Sequence, residues 1–180
     1  MKNIKNTKEN YGIVAISLHW LMAILIIAMI ILGIYMNGIE NSPEKFKLYG
    51  LHKSFGSLIL GLVSLRLIWK LMNIAPELPL NMKHWEKIVA KLGHLALYFF
   101  MFAIPISGWL MSSAAGCSVS FFGLFTLPNL VQPSNELRNF FGEAHEIMAF
   151  SLIGFIILHF TAAAQHHFLK KDNVLTRMLP

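Results

Sequence analysis

The chain has 180 residues, of which 56% are hydrophobic and 13% charged, about half the charge of an ordinary soluble domain. That composition, with a mean hydropathy of +0.58, excludes a water-soluble globular domain and points to a bilayer. The net charge of +6 comes from basic residues scattered at the ends of apolar stretches. With no Arg-rich or aromatic-interleaved run among them, it is not the footprint of a nucleic-acid binder.

Four apolar stretches have the roughly 20 residues that a spanning helix needs: residues 12–36, 55–72, 88–112 and 144–164. The first lacks a small-residue cleavage site behind it and reads as a retained span. Asn41-Ser42-Pro43 marks a turn before the second. Ala75-Pro76 and Leu78-Pro79 lie in the connection to the third, followed by Trp85 at the depth of an aromatic belt. Pro105 is expected to kink the third span, as membrane helices tolerate. Residues 113–143 are too long for a simple helix hairpin. Their aromatic content (Phe121, Phe122, Phe125) reads as an interfacial loop bent at Gly116, Gly123 and Pro133.

Basic residues give the orientation. Lys2, Lys5, Lys8, Lys70, Lys83, Lys87, Lys91, Lys170, Lys171 and Arg177 share one side, whereas Lys45, Lys47, Lys53 and Arg138 lie on the other. The positive-inside rule therefore puts both termini in the cytoplasm. The expected fold is an all-α integral membrane protein, a four-transmembrane-helix bundle forming one domain over residues 1–180.

Histidines inside hydrocarbon are functional candidates by default. His145 and His159 are fourteen residues apart, which returns both to one helix face about 21 Å apart. His19 is level with His159 near the cytoplasmic edge, and His52 is level with His145 on the opposite side. Antiparallel packing allows the pairs His19/His159 and His52/His145. Two imidazoles at each of two depths suit two haems with closed axial coordination. Zinc usually takes three or four ligands at one depth. The lone Cys117 excludes Cys-x-x-Cys-His attachment, so any haem is non-covalent. Gly56, Gly61 and Gly154 are expected to admit a macrocycle face. His94 either meets a haem propionate, lines a quinone pocket or bonds a neighbouring helix. Arg66 either snorkels or pairs with a propionate. His84 is expected in a solvated loop, and His166 and His167 at the cytoplasmic flank, where they could meet propionates or relay protons.

Together these residues resemble the bacterial cytochrome b561 family. The similarity runs through Ser17-Leu18-His19-Trp20, Leu51-His52-Lys53-Ser54-Phe55-Gly56, Lys91-Leu92-Gly93-His94, Glu143-Ala144-His145-Glu146, Leu158-His159 and His166-His167-Phe168. The family's four haem-ligand positions are all histidine here. The resemblance implies two non-covalent haem b groups and electron transfer across the bacterial inner membrane, commonly with a quinone partner. It also implies a periplasmic electron donor, which in some members is superoxide. The outer segments carry those four basic residues against Glu40, Glu44, Glu136, Glu143 and Glu146, so their charge does not argue for an anionic substrate. Two other readings stand beside this one: a membrane anchor conducting electrons for a dehydrogenase or hydrogenase, and a haem-free proton or metal transporter.

Overall fold

A computed structural model describes residues 3–79 and 82–179. Lys2, counted above among the basic residues of the N-terminal tail, lies outside the described residues. The chain forms an all-α bundle of four long apolar helices: α1 (Ile13–Gly38), α2 (Pro43–Leu71), α3 (His84–Ala114) and α4 (Asn135–Gln165). All four are long and apolar enough to cross a membrane.

The helices outrun the apolar stretches at their polar ends. Ser42 accepts a hydrogen bond from Lys45 N–H, with Pro43 in the first helical turn and Glu44 behind it. This is a strong helix start, so His52 lies well inside α2 and does not open it. Likewise Ser134 accepts from Leu137 N–H, and α4 rises through Glu136, Arg138 and Glu143 before reaching His145. His84 is the first residue of α3 and no loop residue, although it is exposed as expected. α1 has no side-chain cap. The N-terminal tail folds back instead, where Asn3 O accepts from Ile13 N–H and Asn6 Oδ1 from Gly12 N–H. A Cβ on Gly12 would collide with the backbone of Ile4 and Lys5, so only glycine allows this crossing.

Between α3 and α4 the chain adds an antiparallel hairpin, β1 (Val119–Phe121) and β2 (Phe125–Leu127), in place of an irregular loop. Phe122 and Gly123 turn it with positive φ. Ser54 anchors it to α2: its hydroxyl lies 2.8 Å from Ser120 O and accepts from Phe122 N–H at 3.2 Å. Phe55 packs edge-on against Phe122. The hairpin thus packs against the bundle end nearest His52.

Few large apolar side chains are fully buried; Ile16, Met22 and Val63 are the chief ones. Many others face outward, among them Ile24, Ile31, Phe150 and Ile157. Such a surface is stable only when lipid covers it. Packing concentrates between α3 and α4, α1 and α2, and α2 and α3.

Ser54→Ala removes the hairpin's tether, and its expected cost is about 1–2 kcal/mol. Amide exchange should accelerate over residues 119–127 and stay unchanged in α1; unchanged exchange in the hairpin contradicts the tethering role.

Candidate functional site

Each helix brings at least one histidine into the bundle, and α4 brings two. His52 of α2 and His145 of α4 have ring centroids 6.2 Å apart, with planes crossed at 69°. His19 of α1 and His159 of α4 also stand 6.2 Å apart, crossed at 66°. Both pairs bridge helices whose backbones scarcely touch, since neither α1 and α4 nor α2 and α4 are among the main packing partners.

The separation has a chemical reading. A metal between two imidazoles needs a bond of about 2 Å to each nitrogen plus about 1 Å to each ring centre, roughly 6 Å in all. The rings are thus too far apart to hydrogen-bond directly and well spaced for one metal between them. Among the described residues, no three His, Cys, Asp or Glu side chains gather as ligands for a bare ion. The donor set is two by two, which suits a metal whose remaining positions come from a planar macrocycle.

A cavity of about 420 Å³ adjoins the His52/His145 pair. Its lining is mainly apolar, with Met29 and Ile30 of α1, Leu60 of α2, Ile104 of α3 and Ile153 of α4. Glycine clears the rings from the neighbouring helices. A Cβ on Gly108 would lie 3.1 Å from His145 Cε1, and one on Gly33 would lie 3.4 Å from His52 Cε1. Of the glycines singled out in the sequence, Gly56 lines this cavity, and a Cβ there would meet open space. Gly61 and Gly154 also face open space and do not line it.

Ring orientation at this level is set from α3. His145 Nδ1–H donates to Ile104 O at 2.9 Å, with Ser107 Oγ at 3.0 Å. Ser107 is buried and itself donates to Ile104 O. This fixes the tautomer with a lone pair on Nε2, the outer-shell arrangement typical of a metal-binding histidine. The partner ring, His52, has a buried Nδ1 without a hydrogen bond. Ser112 of α3 adds a buried, unpartnered hydroxyl to the cavity wall.

The other level is more crowded. His94 of α3 lies 5.6 Å from His159, so His19, His94 and His159 share one layer. Arg66 neither snorkels to water nor stands free: its Nη2 donates to His19 Nδ1 at 3.0 Å. A guanidinium has only donors, so the proton of His19 then sits on Nε2. Trp69, one turn further along α2, has a buried Nε1–H with no partner.

Beyond this layer, α4 ends in a π-helical turn, His166–Lys170, closed by Lys171 in the left-handed region. Buried His166 Nδ1 meets Asp172 Oδ2 at 2.5 Å. Burial alone would raise the Asp172 carboxyl. Hydrogen bonds from His166 and Val174 N–H, together with the charges of His166 and Lys170, hold it below the ordinary range. Lys170 forms an ion pair with Glu86 at 2.7 Å, and His167 packs against Phe168.

Residues 10–180 match the family model described as prokaryotic cytochrome b561. The chain is 35% identical over 175 residues to cytochrome b561 homolog 2 of Escherichia coli K12, covering 97% of this chain and 93% of the relative. It is 32% identical to cytochrome b561 homolog 1 of the same organism over 171 residues, covering 92% and 94%. A probable superoxide oxidase CybB of Yersinia pestis is 31% identical over 174 residues, covering 96% and 97%.

Gly108→Ala puts its Cβ 3.1 Å from His145 Cε1, so the ring must shift to make room, whereas Gly154→Ala adds a methyl to open space. If His52 and His145 ligate iron, the first is expected to lower its retention about tenfold, the scale of a disturbed ligand orientation, and the second to leave it unchanged. Iron content of the two purified variants checks this; equal content would show that Gly108 does not set the ring position.

Proposed function

Because the chain belongs to the prokaryotic cytochrome b561 family, a group of electron-transfer proteins with haem-binding capacity, we propose that it carries electrons across the bacterial inner membrane as a single di-haem b domain. His52 and His145 hold one non-covalent haem b, and His19 and His159 hold the other. The observation that carries this reading is the pair of 6.2 Å imidazole gaps at two levels of one helix. Haem b, when bound there, would supply one-electron iron chemistry.

The residues around each gap have distinct tasks. Ile104 O and Ser107 keep the His145 lone pair turned away from α3. Gly33 and Gly108 let the rings reach mid-bundle. The mainly apolar cavity wall lowers the local dielectric on the His52 side, which tunes potential. On the other level Arg66 must release His19 Nδ1 before that ring can ligate through Nε2. A haem propionate at this level would give the guanidinium an alternative, charge-assisted partner.

The distribution of basic residues supports both termini on the cytoplasmic side, which makes His19/His159 the inner pair and His52/His145 the outer. The proposed partner on the inside is a quinone, whose reduction consumes protons as well as electrons. His94 lies beside His159 in that layer. His166 and Asp172 form a carboxylate–imidazole pair suited to passing a proton to it. The outer partner is a periplasmic donor. The name of the Yersinia relative favours superoxide as that donor; the outer cavity's lining includes one cation, Lys53, and one carboxylate, Glu146, so it carries no net charge to steer an anion.

Purified protein is expected to contain about two haems per chain by the pyridine haemochrome assay, the number set by four axial imidazoles. His159→Ala should retain one, and ubiquinol should reduce the wild-type haems under anaerobic conditions. A haem content of zero overturns the proposal.

A further inference from the structure

The bundle face bearing both chain ends holds a second cavity, of about 290 Å³, that none of the span histidines lines. It forms where the N-terminal tail folds back against α1 and the C-terminal 3-10 turn (Thr176–Met178) closes over it. Both walls are pinned. The tail is held by Asn3 O and Asn6 Oδ1. The turn is held by Arg177 Nη1 donating to Glu77 O and by Trp20 Nε1 donating to Met178 O.

The lining is chemically one-sided. It presents two cations, Lys5 and Arg177, with Asn3, Asn10, Thr176 and the Tyr11 phenol, and no carboxylate. Among the described residues neither cation has an ion-pair partner; the two ion pairs are His166–Asp172 and Lys170–Glu86. Arg177 Nε is buried without a hydrogen bond, a costly state for a charged donor. Tyr11 is protonated at neutral pH: burial raises its pKa, opposed by Arg66 and Arg177. It is therefore available as a further donor.

We propose that this cavity binds a phosphate group, with Lys5 and Arg177 neutralising it and Tyr11, Asn3 and Asn10 donating to its remaining oxygens. A tetrahedral oxyanion has enough acceptor positions for a guanidinium, an ammonium and several neutral donors at once. The group comes either from inorganic phosphate or from a lipid headgroup. α1 enters the apolar layer at Ile13, two residues after Tyr11. Ile4, between two lining residues, is 67% exposed. Both place the cavity at the depth of headgroups, where basic pockets collect anionic lipid. The inference stands apart from the histidine pairs and does not depend on them.

The test uses the purified protein with its cofactors, in two arms. Native mass spectrometry compares retention of phosphatidic acid with that of diacylglycerol bearing the same chains, and calorimetry titrates inorganic phosphate. Lys5→Gln and Arg177→Gln are compared with Lys8→Gln, a charge-matched change on the same tail but outside the lining. Lys5 makes no side-chain hydrogen bond or ion pair, so its loss does not disturb the fold. Preference for phosphatidic acid that falls about tenfold in both lining variants, but not in Lys8→Gln, supports the site with lipid as its source. Calorimetric phosphate binding with the same variant pattern, without lipid preference, supports it with free phosphate as the source. Absence of binding in both arms, or an equal loss in Lys8→Gln, overturns it.

Discussion

The constraint on which the rest of this molecule depends is the cost of an imidazole in hydrocarbon. A ring nitrogen buried without a partner loses its water and gains nothing. This bundle carries the imidazoles of His19, His52, His94, His145 and His159 in its long helices, and that of His52 keeps a buried Nδ1 with no partner. Helix α4 carries two on one face, and α1 and α2 each lift another to the matching depth. The rings then stop 6.2 Å apart, short of satisfying each other. That spacing explains why backbone packing runs along α3–α4 and α1–α2 while the histidine pairs bridge helices that stay apart. The bundle gives up close packing at its centre and keeps a cavity there.

The two levels are built differently. At the hairpin end, Ile104 O and Ser107 hold the His145 ring from a neighbouring helix, and a hairpin tied to Ser54 packs against α2. At the terminal end the groups around the rings are charged: Arg66 on His19, then His166 with Asp172 and Lys170 with Glu86. The lining at one end is mainly apolar; the other end is furnished with charged and titratable groups. A carrier that exchanges only electrons outside and electrons with protons inside would use this asymmetry.

Much of this was legible in the sequence. Hydropathy marked four spans, and the fourteen-residue interval put His145 and His159 on one stripe. Helix ends were less legible, because α2 and α4 begin with charged turns that carry no apolar signal. Ser42-Pro43-Glu44 and Ser134 were the capping cues. Val119-Ser120-Phe121 and Phe125-Thr126-Leu127 around Gly123 held a hairpin signal, masked by the expectation of an interfacial loop. The glycines nearest the histidines in sequence were not those that clear the rings. Gly33 and Gly108 act from other helices, a relation only tertiary packing creates. The grip of Arg66 on His19, across 47 positions, was beyond sequence for the same reason.

The most direct test of the central claim, that two histidine levels form one path through the bilayer, is electron transfer into sealed vesicles. Protein is reconstituted in liposomes containing ferricyanide, with a membrane-impermeant reductant outside. Wild type should bleach the trapped ferricyanide, and His145→Ala and His159→Ala should each abolish bleaching while the protein stays folded. Bleaching at the wild-type rate in either variant would contradict the account.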